Sequence, residues 1–534
     1  MAAEWIDIMT KYLLSRLVRG IFSIIIVVLV VMLLIYSLMN KDQIFAKDPI
    51  IQKQKSNNKE VYKYQQWEKY GYLDYVSYSD WLKEKLVNGE ITEDEYSKIV
   101  IIGKTAEQDS ALTAEYVKEF TEKYTQEGYK IERLKGITKG STKKYQEGGN
   151  PQLFAYKDIP VLKRAWTYFT GLIKFDNIHK VEDDVGERGL SFTMYDPAYG
   201  GEKFSPAIIG NGTHHKYLLY FDSQFPYIHQ NFAKINLGTS YSVNQGIDVF
   251  ETMTQSQGSL KNSIVTYPSG LVESSADNLH SAIYVPDSLE NGTKVIKDRY
   301  LDNYTQVSTY RDGFSKIGYS FVIGIISVVM AYVIALPLGV LMARKKDKFI
   351  DHLGTIYIVF IIAVPSLAYI FLFKAIGGRF GMPTTFDMIN PTWLMYVLPI
   401  ISLALPSIAN LMKWLRRYMI DQMNSDYVKF ARSGGLSEGE IFTKHILKNA
   451  AIPIIHGIPG SVLGSLVGAI ITERVYVVPG AGNLLTNAIN AYDNGVIVGV
   501  TLFYAALSVV SIILGDILMS MVDPRISFTT KKGR

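Results

Sequence analysis

The chain has 534 residues, 48% of them hydrophobic, no cysteine and a formal charge of +5. The lack of cysteine excludes disulfides, thiolate metal sites and a Cys nucleophile, and the modest charge gives no argument for nucleic acid. Apolar residues collect near the N-terminus and after about residue 316, so membrane spans replace the three or four soluble domains that length alone suggests.

In chain order, Ile21–Met39 is the first apolar run. About 20 such residues cross a bilayer as a helix. The run is too long for a signal peptide and lacks a small-residue cleavage site, so it reads as a retained span.

From about Lys41 to Asp312 the chain is polar, Tyr-rich and Lys-rich, with the length of a large globular domain. Two short helices are expected within residues 79–100. Ser79 or Asp80 caps the first, and Thr92 with Glu95 makes a capping box for the second. Asp109–Gly128 reads as an amphipathic helix with Leu112, Tyr116, Phe120 and Tyr124 four apart. "KYLLYFD" and "HSAIYVPD" read as strands, and Lys139–Gln152 as a loop. The aromatics of Val61–Trp81 read half as core and half as contact surface. Adjacent His214 and His215 point apart on a strand and have no spaced third ligand, so no metal is expected. No G-x-S-x-G occurs, and "GITKGSTK" from Gly136 has the wrong spacing for a phosphate loop. The Asn-x-Thr triplets at Asn211, Asn291 and Asn303 are expected by chance. An α+β domain results.

Five more spans follow: Ile317–Met342, His352–Phe373 with Pro365, Trp393–Met412 with Pro399 and Pro406, Ile454–Thr472, and Val496–Met519. The glycines Gly460, Gly464 and Gly468 are four apart, which permits close helix approach. Asp516 is an intramembrane acid, a functional candidate or one end of a helix–helix hydrogen bond. Basic residues precede span one (Lys11, Arg16, Arg19). They also fill Ala343–Lys348, the connector between spans four and five, and the tail at Lys531, Lys532 and Arg534. Six spans put all four groups on one side, which makes both termini cytoplasmic and the middle region extracellular.

The connector "FARSGGLSEGEIFTKHILKNAAIP", Phe430–Pro453, is soluble-looking between two spans. Tyr427–Arg432 is expected to extend into one short helix. Ser437 caps a second, with Glu440 completing a capping box, and Gly434 and Gly435 make the bend and allow close backbone approach. Phe430, Ile441, Phe442 and Ile446 are expected to share one apolar face. The plain alternative is an interfacial helix.

This connector resembles that of the permease subunits of peptide-type ABC importers, at Ala431, Arg432, Gly435, Leu436, Ser437, Lys444, His445, Asn449, Ala450 and Pro453. Glu473, Pro479, Gly480 and Gly482 resemble the family's Glu-x5-Pro-Gly-x-Gly turn, and Asp523, Pro524 and Arg525 its Asp-Pro-Arg finish. The resemblance covers the first forty residues and about Gly313 to Ile526. Lys429-Phe430 replaces the usual Glu-Ala, and the long insertion is similar to that of the Ami-type oligopeptide permeases of Gram-positive bacteria. "INLGTSYS", Ile235–Ser242, then reads as a remnant of the ordinary family's shorter outer segment.

The resemblance implies an all-α polytopic core of six transmembrane helices, the type I ABC importer fold, with a large extracellular α+β domain between helices 1 and 2. Its divisions are 1–40, the domain 41–312, the transmembrane domain 313–526 with a coupling segment at about 421–453, and a cytoplasmic tail 527–534. It implies an oligopeptide importer permease in a bacterial cell membrane. The partners implied are a second homologous permease, two cytoplasmic ATPases, an extracellular substrate-binding lipoprotein and membrane lipid. The chain has no Walker A motif and is expected to be no enzyme; it binds no cofactor, and ATP and Mg²⁺ belong to the partner subunits. ATPase coupling is assigned to Lys429, Phe430, Ala431, Arg432, Gly434, Gly435, Leu436, Ser437, Glu440 and His445. The translocation path is assigned to Pro365, Ser366, Ser407, Asn410, Ser461, Ser465 and Glu473. Dipeptides, nickel complexes and glutathione remain alternative cargo. A membrane-anchored receptor asks for an inner signalling domain, and the longest inner segment is the connector itself. An ion-coupled transporter asks for inverted repeats and midplane charges that the spans do not clearly show.

Overall fold

The structure is a computed structural model that describes residues 2–54, 56–135, 151–175, 180–221, 228–242, 245–388 and 390–522. The phosphate-loop-like stretch at Gly136, most of the loop expected over Lys139–Gln152, the Asp523–Arg525 finish and the basic tail lie outside the described residues.

The first helix, α1, spans Ala2–Leu38. Between it and the next long helix the chain builds helices α2 (Ser56–Lys69), α3 (Tyr78–Val87), α4 (Glu93–Ile99), α5 (Ala111–Gln126), α6 (Val161–Thr170), α7 (Val249–Thr254) and α8 (Lys294–Arg299). The strands interleaved with them are β1 (Leu73–Ser77), β2 (Lys130–Leu134), β3 (Gln152–Asp158), β4 (Ile173–Phe175), β5 (Gly189–Tyr195), β6 (Phe204–Asn211) and β7 (Tyr217–Phe221). They continue with β8 (Ile228–Gln230), β9 (Ala233–Ile235), β10 (Ser263–Thr266), β11 (Val272–Ser275), β12 (Asp277–Ile283) and β13 (Gln306–Thr309). β1-β3-β2 form one antiparallel sheet and β5-β6-β7-β8 another; β4 pairs with β9.

Thr92 and Glu95 form the expected capping box on α4. The cap of α3 is Ser77 rather than Ser79 or Asp80: its hydroxyl accepts the Asp80 N–H at 3.0 Å. On α5, Phe120 and Tyr124 are buried and Tyr116 is half-buried, but Leu112 is exposed and Thr113 takes the buried place in the first turn. Trp67, Tyr72, Tyr75, Tyr78 and Trp81 are all buried, and Tyr64 lies 4.7 Å from Phe154 between ring centroids. The Tyr-rich run is therefore core through nearly its whole length, because β1 carries it between two helices.

The remaining helices are α9 (Lys316–Arg344), α10 (Phe349–Ala363), α11 (Ser366–Arg379), α12 (Leu394–Met423), α13 (Asp426–Ser433), α14 (Glu438–Glu440), α15 (Lys448–His456), α16 (Ile458–Tyr476), α17 (Ala481–Asn490) and α18 (Asn494–Val522). α1, α9, α12, α16 and α18 are each long and apolar enough to cross a membrane, and α10 with α11 makes a sixth candidate. The third span is not one helix: α10 and α11 meet at 107°. Pro365 has no N–H and its ring drives Val364 into extended backbone, ψ 130°, which ends α10. Pro337, Pro399 and Pro406 stay inside their helices. The span expected from Ile454 also divides, at Gly457, between α15 and α16. α9 packs along α12 through Ala331, Ala335, Ala404 and Ala409, all fully buried. Small residues let the backbones approach closely where lipid gives no hydrophobic drive.

Candidate coupling segment and the two ends of the bundle

α9 leaves the strand-rich region at Lys316, so its last residues mark the opposite end of the bundle. There Ala343 joins Leu415 and Met419 of α12 in a cluster with Val428, Ile441, Ile446, Ala450 and Ile454. This cluster holds the connector against the helix ends.

The connector folds as an elbow. α13 ends at Ser433, and Gly435 follows with φ +83°. Ser437 caps α14: its hydroxyl accepts the Glu440 N–H at 3.3 Å, while Glu440 accepts from the Ser437 N–H. Residues Ile441–Leu447 continue as a π-helix. A Cβ at Gly435 would meet nothing within 4 Å, and one at Gly434 would make only ordinary contacts. Gly435 is therefore required for its left-handed backbone, not for crowding inside this chain.

Lys429, Phe430, Arg432, Gly434, Gly435, Leu436 and Ser437 are exposed; Ala431, Glu440 and His445 are half-buried. Phe430 is 81% exposed. Ile441 and Ile446 do not share its face. They are 0% and 3% exposed and turn into the bundle, with Phe442 partly buried beside them under the Arg344 guanidinium. The shared apolar face expected from sequence is thus two surfaces, one locked and one bare. Arg432 spans the elbow to Glu438 with Nε 2.5 Å and a second nitrogen 3.1 Å from the carboxylate. That contact holds the carboxyl of Glu438 below its ordinary range. Lys429 pairs with Asp426, and Lys444 with Glu440.

At the same end, Tyr12 donates to Asp516 Oδ2 at 3.0 Å and Arg16 Nε lies 3.2 Å from it. Asp516 is therefore an α1–α18 tie. Arg416 binds Asp351 through two nitrogens at 2.5 and 2.7 Å, joining α12 to α10.

At the opposite end, two buried carboxylates organise the loops. Glu473 is 0% exposed, so it lines no open path in this chain. It accepts from the Ser320 hydroxyl at 2.6 Å and the Asn483 N–H at 3.0 Å, and Ser320 in turn accepts the Ala481 N–H at 2.9 Å. A Cβ at Gly480 would collide with its carboxylate. The Glu-x5-Pro-Gly-x-Gly turn is a clamp joining α9, α16 and α17. Ser465 is also buried, 4% exposed, and donates to the Val462 carbonyl at 2.7 Å. Ser461 lies 3.2 Å from the Tyr332 hydroxyl. Pro365 and Asn410 are exposed, and Ser366 and Ser407 half-buried. The structure thus leaves Pro365, Ser366, Ser407 and Asn410 open to a neighbour and withdraws Glu473 and Ser465 into the helix contacts.

The second carboxylate, Asp493, stands in no motif of the sequence. Its Oδ2 accepts from the hydroxyl of Ser240 and the N–H groups of Tyr241 and Ser242 at 2.8–2.9 Å. Asn494 donates to the Tyr72 hydroxyl at 2.7 Å. A Cβ at Gly495 would collide with the Thr239 carbonyl. Leu237, Val249 and Met253 share one cluster with Val28, Met32, Ile317 and Val496. The "INLGTSYS" stretch is the joint between the strand-rich region and the helices. Its glycine and serine pattern was the available signal.

Residues 335–528 match the family described as binding-protein-dependent transport system inner membrane component. The chain is 35% identical to the oligopeptide transport system permease protein AmiC of Streptococcus pneumoniae over 98% of this chain and 100% of that one. It is 30% identical to the dipeptide transport system permease protein DppB of Bacillus subtilis over 40% of this chain and 68% of that one. A crystal structure of an amino acid ABC transporter with histidines aligns with 40% of this chain and 92% of that one, at 18% identity and TM-score 0.31.

Proposed function

The chain belongs to the binding-protein-dependent inner membrane permeases of ABC importers, and we propose that it forms half of a translocation path for oligopeptides. It is a membrane-embedded transport subunit. The observation that carries the cargo is the end-to-end likeness to a permease named for oligopeptide transport, at 35% identity, strand-rich region included.

The elbow of residues 426–440 is the coupling segment in this reading. A capped, glycine-bent pair of short helices is braced on the bundle by Val428, Ile441 and Ile446 and offers Phe430 to a partner. An apolar ring this exposed suits an anchor for a groove on a cytoplasmic ATPase. ATP and Mg²⁺ bind to two such ATPases, which perform the hydrolysis. A second homologous permease completes the path, lined from this chain by Pro365, Ser366, Ser407 and Asn410. ATP drawing the ATPases together shifts the population from an inward-open to an outward-open packing, and the elbow transmits that bias.

The strand-rich region, residues 41–312, lies outside the cell and both termini inside. Arg16, Arg19, Arg344–Lys348, Arg417 and Lys444 all lie toward the end opposite that region, which supports this orientation. The outer region receives a substrate-binding lipoprotein. A pull-down of the chain from native membrane tests the assignment: it recovers two ATPases, a second permease and a peptide-binding lipoprotein. Recovery of a binding protein specific for another cargo replaces oligopeptide with that cargo.

A further inference from the structure

α6 carries more apolar surface than the protein covers. Ala165, Tyr168, Phe169 and Leu172 pack into the cluster shared with Met32 and Tyr36 of α1. Leu162 and Trp166, one turn apart, are 66% and 71% exposed. At about 100° per residue they lie beside the packed strip, not opposite it. Lys163, Thr167 and Thr170 take the remaining, exposed face. The apolar arc therefore continues past the protein contact and ends at a polar edge.

The next element carries exposed apolar residues of its own. Ile173 of β4 stands directly opposite Ile235 of β9, and both are exposed, at 56% and 40%. Lys174 and Lys234, also cross-strand partners, occupy the other face of this pair.

The height of α6 is set by α1. The Arg164 guanidinium sits 3.6 Å from the centre of the Tyr36 ring and 3.8 Å from that of Tyr72. Tyr36 is two residues from the end of α1, about 3 Å of rise. On this last part of α1, Leu34 and Leu38 are 53% and 78% exposed, the lipid-facing surface of a membrane span. They stand on the side of α1 away from Tyr36 and so mark a level, not a shared face: the bare arc of α6 lies at the height where hydrocarbon meets headgroup. Trp is the residue enriched at that depth.

We propose that α6 and the β4–β9 pair form a foot that rests in the bilayer leaflet at the strand-bearing end. Leu162, Trp166, Ile173 and Ile235 enter the acyl boundary, and Lys163 meets lipid phosphate. A helix with an apolar arc, a polar edge and a flanking lysine lies in an interface in this way. The foot fixes the tilt of the strand-rich region over the bundle, because α6 also holds α1 through Arg164.

The chain has no cysteine, so single labels are site-specific. The full-length chain is placed in lipid nanodiscs as Leu162→Cys, Trp166→Cys or Val87→Cys, each labelled with a polarity-sensitive fluorophore. Val87, on α3, is 85% exposed and serves as the water reference. Quenching by a nitroxide at the shallow end of an acyl chain is expected to be on the order of twofold or more stronger at 162 and 166 than at 87, and quenching by aqueous iodide correspondingly weaker. Iodide quenching at 162 and 166 equal to that at 87 overturns the proposal, as does shielding from iodide without nitroxide quenching, which assigns the face to protein.

Discussion

The carboxylate of Asp493, just ahead of α18, accepts a 2.8 Å hydrogen bond from the hydroxyl of Ser240, 253 residues earlier in the chain. The same oxygen takes the N–H groups of Tyr241 and Ser242, so one buried side chain closes the joint between the strand-rich region and the last helix.

Removing that carboxylate takes the acceptor from three backbone N–H groups, those of Tyr241, Ser242 and Val496. Each costs about 1–3 kcal/mol. Asp493→Ala is expected to lower the thermal unfolding temperature and to open residues 237–253 to protease. Asp493→Asn, which keeps an acceptor oxygen, should lie between it and the native chain. Unchanged protease resistance in Asp493→Ala would show that this carboxylate does not close the joint.

Gly435 tests backbone against crowding. An alanine at its positive φ costs roughly 1–2 kcal/mol, whereas asparagine enters that region more readily. If strain alone matters, peptide uptake falls in the order Gly, Asn, Ala. Gly435→Trp adds bulk where this chain leaves open space, so uptake lost beyond the alanine level, with membrane abundance kept, marks a partner at that surface.

The Glu473 clamp predicts non-additivity. Gly480→Ala collides with the carboxylate, and Glu473→Ala strands the Asn483 N–H. Each single change is expected to cost about 2 kcal/mol or more. The double variant should be more stable than the sum of the two losses predicts, because removing the carboxylate makes room for the new methyl. Strict additivity in thermal unfolding would contradict the clamp.

The strand-rich region should weaken in acid. Burial pushes the Asp196 carboxyl up. Contact with His280, whose Nε2 lies 3.1 Å away, and hydrogen bonds from the Tyr217 hydroxyl and the Ala198 N–H outweigh it and leave the group below its ordinary range. A carboxyl depressed on folding contributes stability that is whole above its unfolded pKa, about 3.9, and lost as pH falls from there through its lower folded value. Unfolding measured at pH 6 and again below pH 4 should show this loss, and Asp196→Asn should flatten it.

The elbow was legible because its signals are local: Ser437 and Glu440 are three apart and Gly435 stands between two helices. The spans were legible from their apolar runs. What escaped depends on distance in the chain. Glu473 reads as a residue of the translocation path until Ser320, 153 residues away, arrives to bind it. Asp493 binds three backbone N–H groups and the hydroxyls of Ser240 and Ser242, 253 and 251 residues earlier, so only the serine pattern of that stretch hints at it. Ile441 and Ile446 are five apart, a spacing that a regular α-helix splits but a π-helix brings together on the bundle side. The 107° break at Pro365 follows from proline chemistry, but its angle comes from packing.

We propose that the bare ring of Phe430, 81% exposed, enters an ATPase. A photo-crosslinking residue at position 430, in the complex purified from membrane, should give an adduct of this chain with the ATPase subunit. The same probe at Val87 should give none. An ATPase present in the complex but never crosslinked from position 430 would rule that contact out.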